Sequence, residues 1–324
     1  MAVQLLPRAT QATVRGRSVG SISIRRWGGL GIRSADDADA QGISGRPERH
    51  HRLVIFVHGY ANDVKTATAS YRSMLEHLGD MPEIPSTWLT DVFRFYWPGD
   101  LPLRGISQLS YRYQVTRAGE SGQVLAELLT RFATSGATRE VVFVAHSVGS
   151  RVVLEAVGQL RKLRQQAVPP GAPPREVPHV LGVVLMAGAV PEDECEPGRD
   201  FARRENIPGY PTEIILYSAD DWVLARTFPL GQTVRVDQVR RPILPKAVGL
   251  EGGPPDRWLG PHLFDMKPFG HGDYWRHQSS ADRVSGMFGR TPERSLYERT
   301  PPGWVHEPGG RALVEPNVVE ERTP

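Results

Sequence analysis

Apolar residues along the chain follow two periods, and the alternation between them predicts the fold. Five short runs rich in β-branched and aromatic residues read as strands buried on both faces: Leu53–Val57, Val92–Trp97, Val141–Val144, Val180–Met186 and Glu213–Ser218. Between several of them apolar residues recur at spacings of three and four. Ala67, Tyr71, Met74, Leu75 and Leu78 form one such face, with Asn62 or Asp63 as its N-cap. Val115, Ala118, Gly122, Leu125, Leu129 and Phe132 form a second, and Val152, Val153, Ala156, Val157 and Leu160 a third. Leu263–Met266 reads as a last short strand. Buried runs separated by amphipathic helices predict an α/β fold: a mainly parallel central sheet with helices on both faces and right-handed connections.

The rest of the chain lacks these periods. Residues 1–33 are Arg-rich, with one alternating run, Ser21–Arg25, that reads as an edge strand. Trp27-Gly28-Gly29-Leu30-Gly31 lacks the strand-turn-helix context of a dinucleotide site and reads as a turn. Residues 34–50 read as a linker, Pro169–Pro174 as a surface loop and 229–261 as an extended loop region. The acidic segment Pro191–Glu196 has no paired His or Cys spacing, so it reads as a solvated loop and not a metal site. The expected organisation is an N-terminal segment over 1–50, one domain over 51–288 and a Pro-rich peripheral tail over 289–324. No internal repeat is present.

Composition narrows the class. The chain has 324 residues, 40% hydrophobic and 23% charged, as in ordinary globular proteins. A net charge of +3, with arginines scattered along the chain, is no nucleic-acid footprint, so no nucleic-acid partner is expected. A single cysteine, Cys195, allows no internal disulfide and fits a reducing compartment. No apolar run is long enough to span a bilayer, and the N-terminus lacks the apolar core of a secretory signal. The expectation is a soluble, cytoplasmic protein with no membrane span, its oligomeric state left open.

The candidate chemistry centres on Ala145-His146-Ser147-Val148-Gly149, between the third strand and its helix. A turn this tight needs small residues two before and two after the serine, and Ala145 and Gly149 meet that need. Ser147 would then stand above the sheet edge, before a helix N-terminus with unpaired N–H groups. A serine N-cap on an ordinary βα turn carries the same letters. A serine hydroxyl needs a base, and the base needs an acid to orient it. Asp220 and Asp221 follow a later strand, and both are candidate acids. His271, in a Gly-flanked loop near the end, is the candidate base, with His262 and His277 as rivals. His146 is adjacent to Ser147, and the sharp turn sends the two side chains apart. His58-Gly59 ends the first strand, where the N–H of Tyr60 would be one oxyanion donor and that of Val148 the other. His58 itself reads as structural. Leu101, Leu103, Ile106, Trp222 and Val223 either line an apolar acyl pocket or pack under a loop.

These stretches resemble the α/β-hydrolase superfamily, and more narrowly a bacterial group of α/β-hydrolases of uncharacterised function. The resembling residues are Phe56–Tyr60, Tyr96–Pro98, Ala145–Gly149, Tyr217–Leu224 and His271–Tyr274, over roughly 52–278. In that group the acid stands three residues before a leucine, which matches Asp221 before Leu224. The resemblance implies a Ser147–Asp221–His271 hydrolase with no cofactor, acting on a small-molecule acyl substrate: an ester, a thioester or an amide. It names no substrate. The alternative is a catalytically silent binding or scaffolding protein of the same fold, less favoured because all three side-chain types and both donor positions are present.

Overall fold

The computed structural model describes residues 50–82, 84, 86–89, 91–99, 107–135, 138–166, 176–195, 212–229, 245–252 and 262–288, with the backbone of 13–14, 17–18, 20–23 and 43–44. The short strands β1 (Thr13–Val14) and β2 (Arg17–Ser18) pair with each other. The remaining strands form one eight-stranded sheet: β3 (Gly20–Ser23), β4 (Ile43–Ser44), β5 (Arg52–Val57), β6 (Val92–Tyr96), β7 (Glu140–His146), β8 (His179–Met186), β9 (Thr212–Tyr217) and β10 (His262–Asp265). Their order is β10-β9-β8-β7-β5-β6-β3-β4. Every neighbouring pair is parallel except β3 with β4. The five apolar runs are thus five central strands of a mainly parallel sheet. Parallel strands covered on both faces need apolar side chains on both, which is why these runs do not alternate.

Helix α1 (Val64–Asp80) follows β5. Its buried face is Ala67, Tyr71, Met74, Leu75 and Leu78, the periodic set in the sequence, and Asp63 Oδ1 caps it by accepting from Thr66 N–H at 2.7 Å. Helices α2 (Ser107–Ser135) and α3 (Gly149–Gln165) pack against each other. The chain steps from β5 to β6 in one direction and from β6 past β5 to β7, then to β8, in the other. Right-handed crossovers therefore put α1 on one face and α2 with α3 on the opposite one. The short helix α4 (Gln278–Ser285) packs beside α1.

This topology also locates a crevice. The strand order reverses at β5, whose neighbours β6 and β7 are reached by opposite steps. In open α/β sheets ligands bind at the carboxyl edge where such a reversal parts the loops.

Three stretches differ from expectation. β3 lies one strand in from the edge, parallel to β6, and the edge itself is β4, inside the segment read as a linker. Two residues of strand leave too little pattern to read. The acidic segment is not a solvated loop. Residues Glu192–Cys195 form a 3₁₀ turn in which Glu194 is buried and accepts from Arg151 Nη1 at 2.8 Å, while burial, Glu213 and Glu194 push the buried Cys195 thiol up. A distant cation on α3 lets that carboxylate leave water. Part of the 229–261 region is ordered too: Val248–Glu251 is a helical turn tied to the ends of β8 and β9 through Val248 N–H to Val190 O, Gly249 N–H to Gly188 O and Ser218 N–H to Gly249 O. Pro169–Pro174, Leu101, Leu103, Ile106 and the tail from 289 onward lie outside the described residues.

Candidate active site

β7 is buried along its whole length and ends at the crevice. Ser147 follows it with φ of 54°, the left-handed region that a non-glycine residue rarely occupies. The turn is held by backbone bonds: Ser147 N–H donates to Met186 O at 3.0 Å, and Ser147 O accepts from Ser150 N–H at 3.0 Å and Ala189 N–H at 3.1 Å. The small residue required two positions on is a matter of contact. A Cβ on Gly149 would sit 2.4 Å from His58 O and 2.8 Å from Val57 O. The first turn of α3 therefore presses on the end of β5. Val148 is the N-cap of α3, and the first N–H groups of that helix have no partner inside it.

Asp221 follows β9 and is buried. Its Oδ1 accepts from Val223 N–H at 3.0 Å and Leu224 N–H at 3.1 Å, and its Oδ2 lies 2.7 Å from His271 Nδ1. The other ring nitrogen, Nε2, lies 2.9 Å from Ser147 Oγ. Because a carboxylate has no proton to give, Nδ1–H donates to Asp221 and Nε2 is left to accept from the serine. The three side chains named from the sequence thus form one hydrogen-bonded chain. Asp220 is exposed, with its N–H on Ser218 Oγ at 3.2 Å. Of the rival histidines, His262 lies in β10, and His277 precedes α4 with its ring 4.4 Å from that of Phe269.

The loop after β5 is tied to the end of β6. His58 is buried and stacks on Trp97 at 5.6 Å. Its Nδ1–H donates to Gly59 O at 2.9 Å, its Nε2 accepts from Trp97 N–H at 3.3 Å, and its C=O accepts from Trp97 Nε1–H at 2.7 Å. These contacts are structural, as the sequence suggests. Tyr60 is half-buried, and Ala61, with φ of 59°, donates its N–H to Gly99 O at 2.9 Å. Trp222 is 63% exposed beside Asp221, and Val223 is half-buried. Tyr274 is buried, and burial together with the Asp221 charge raises its phenol, which stays neutral.

One residue was missed in its role. His146 Nε2–H donates to the backbone carbonyl of His271 at 2.7 Å. Burial, with the neighbouring His271 second, lowers the His146 pKa to about 3. Adjacency to Ser147 argued against His146 as a base and carried no signal of a bond to a loop so distant in sequence. Among the described residues, no group of three or more His, Cys, Asp or Glu is arranged to hold a metal ion, and no helix is long and apolar enough to cross a membrane.

Chemically, a hydroxyl on a strained turn, an imidazole in one tautomer and a buried carboxylate form an array for drawing a proton off the hydroxyl. Three solved structures are similar at 10% sequence identity. A gene product of Listeria innocua matches over 75% of this chain and 95% of its own, with a TM-score of 0.41. An esterase of Pyrococcus furiosus matches over 76% and 85% with 0.38, and MenH from S. aureus over 74% and 94% with 0.35. No curated protein matches the sequence. A family model described as "Alpha/beta hydrolase of unknown function (DUF900)" matches residues 37–281. With most of its length matched by that model, and with the parallel sheet and crossovers described above, the chain belongs to this family of α/β-hydrolases.

Proposed function

We propose that the chain is a serine hydrolase that cleaves a carboxylic ester, thioester or amide through an acyl-enzyme. The observation that carries this reading is the continuous hydrogen-bond chain from Ser147 Oγ to His271 at 2.9 Å and from His271 to Asp221 at 2.7 Å. In this reading Ser147 Oγ attacks the substrate carbonyl carbon and its proton passes to His271 Nε2. Asp221 stabilises the imidazolium without taking its proton. The backbone N–H groups of Tyr60 and Val148 hold the developing oxyanion, each donor worth on the order of 3 kcal/mol by comparison with a side-chain donor in a protease. His271 returns the proton to the leaving group, which departs as alcohol, thiol or amine. A water then gives a proton to His271 as it attacks the acyl carbon, and His271 passes that proton to Ser147 Oγ as the Oγ–acyl bond breaks, which releases the acid and regenerates the free hydroxyl. No cofactor takes part in these steps, and the substrate is a small acyl compound.

The test is labelling by a fluorophosphonate, which reacts only with an activated serine. Wild-type protein is expected to label and to hydrolyse p-nitrophenyl esters, and Ser147→Ala to do neither. Full hydrolysis by pure Ser147→Ala, or a silent wild type across a broad ester panel at pH 7–9, would overturn the proposal and favour a binding protein.

A further inference from the structure

We propose that His146 is a positioning residue: its Nε2–H holds the backbone carbonyl of His271 at 2.7 Å, so that the residue next to the nucleophile also fixes the base. The inference rests on the hydrolase reading for its kinetic consequence and on geometry alone for its structural one.

The loop carrying His271 is braced on its flanks from within. Gly270 N–H donates to Asp273 Oδ2 at 2.7 Å, and Asp273 N–H donates to Gly270 O at 3.2 Å. Those bonds shape the loop but do not locate it against the sheet. At His271 itself the backbone tie to the elbow is the His146 ring. Elbow and loop are 125 residues apart in sequence, so nothing local maintains the distance between Ser147 Oγ and the imidazole. His146 and Ser147 share one peptide bond. Any displacement of the elbow therefore carries both the nucleophile and the group that anchors the base.

The ring's state suits this task. A carbonyl only accepts, so Nε2 must bear the proton. The opposite nitrogen, Nδ1, is buried and has no hydrogen-bond partner among the described residues. It faces Gly59, where a Cβ would come within 3.0 Å of it. With its pKa lowered to about 3, the ring is neutral at the pH of ester hydrolysis, pH 7–9. The two rings lie 5.0 Å apart. A neutral neighbour leaves the imidazolium that forms on His271 unopposed, whereas a second cation at that distance would disfavour it.

Two amide substitutions separate this role from simple filling. The side-chain nitrogen of a glutamine reaches about as far as Nε2 of histidine, while that of an asparagine stops near the Nδ1 position. His146→Gln can therefore remake the bond to His271 O, and His146→Asn cannot. The expected result is a kcat for ester hydrolysis that falls by about ten- to a hundredfold in His146→Asn with KM nearly unchanged, the scale of a small misplacement of reacting groups. His146→Gln should stay within about threefold of wild type by the same reasoning. The second readout needs no activity: the low-field NMR resonance of the His271 Nδ1–H bonded to Asp221, assigned by its loss in Asp221→Asn. It should persist in His146→Gln and broaden or vanish in folded His146→Asn. Equal kcat in all three proteins, equal losses in both variants, or a resonance untouched in His146→Asn would overturn the proposal. A wild type that neither labels nor turns over would sink the hydrolase reading alone, and the resonance would still decide the positioning.

Discussion

At Asp221 the two carboxylate oxygens have separate partners. Oδ1 accepts two backbone N–H groups of the turn that follows, and Oδ2 faces His271. One carboxylate thus both caps the turn that follows and faces the imidazole. The turn immobilises the carboxylate, and the carboxylate selects the imidazole tautomer. Under the proposed mechanism Asp221→Asn keeps the fold, because an amide oxygen still accepts at the Oδ1 position. It presents an NH₂ or a poorer acceptor to His271, and turnover should fall by up to about 10⁴-fold, the loss known for the same change in a serine protease. Asp220→Asn, on an exposed side chain, should change turnover by less than about twofold, as surface substitutions do. Steady-state ester hydrolysis by the two variants checks the assignment, and the reverse pattern would transfer the role to Asp220.

At the scale of elements, the contact between α2 and α3 depends on one missing side chain. A Cβ on Gly122 would lie 2.4 Å from Val152 O and 2.7 Å from Glu155 Cβ. A backbone carbonyl cannot turn aside, so Gly122→Ala must push the helices apart. The expected loss is about 1–3 kcal/mol from overpacking. At Gly119 on α2 and Gly158 on α3 an added Cβ would meet nothing within 4 Å. There alanine improves helix propensity with no clash, and each substitution should gain up to about 1 kcal/mol. Urea unfolding of the three variants tests the opposite signs. Since α3 begins at the elbow and Gly149 touches the end of β5, a displaced α3 should also slow fluorophosphonate labelling in Gly122→Ala.

For the whole molecule, the buried neutral His146 links stability to pH. Unfolded, its ring takes a proton below about pH 6.5, the usual value. Folded, it does so only near pH 3. Between those values the unfolded chain holds the extra proton, so stability falls as the pH drops through this window, and the full contribution is present above it. One proton corresponds to a slope of about 1.4 kcal/mol per pH unit. His146→Gln has nothing to titrate, so its stability between pH 6 and 4 should decline less steeply than that of wild type. Urea midpoints across that range give the comparison, and parallel curves would contradict it. The same molecule-wide view explains why the site lies where it does. β6 and β7 flank β5 and are reached by opposite steps, so the loop carrying Tyr60 after β5 and the turn bearing Ser147 after β7 open onto one edge.

Local chemistry sufficed for much of this. A parallel strand covered on both faces needs a solid apolar run, and a helix on a sheet needs a stripe of period 3.6, so β5 to β9 and the faces of α1 to α3 were readable one segment at a time. The turn at Ser147 was readable too, because its requirement for a small residue at Gly149 is steric and lies within five positions. Other features depended on groups far apart in the chain. The spacing to Leu224 favours Asp221 over Asp220 only through the family resemblance, and local chemistry alone does not tell which carboxylate meets the imidazole. That is decided by His271, fifty residues on. The burial of Glu194 waits on Arg151, the place of β3 on an exposed backbone edge of β6, and the role of His146 on a carbonyl 125 residues away. Side-chain periodicity reports burial, which is an average over surroundings. A hydrogen bond or a buried ion pair reports one particular neighbour, and only the folded chain supplies it.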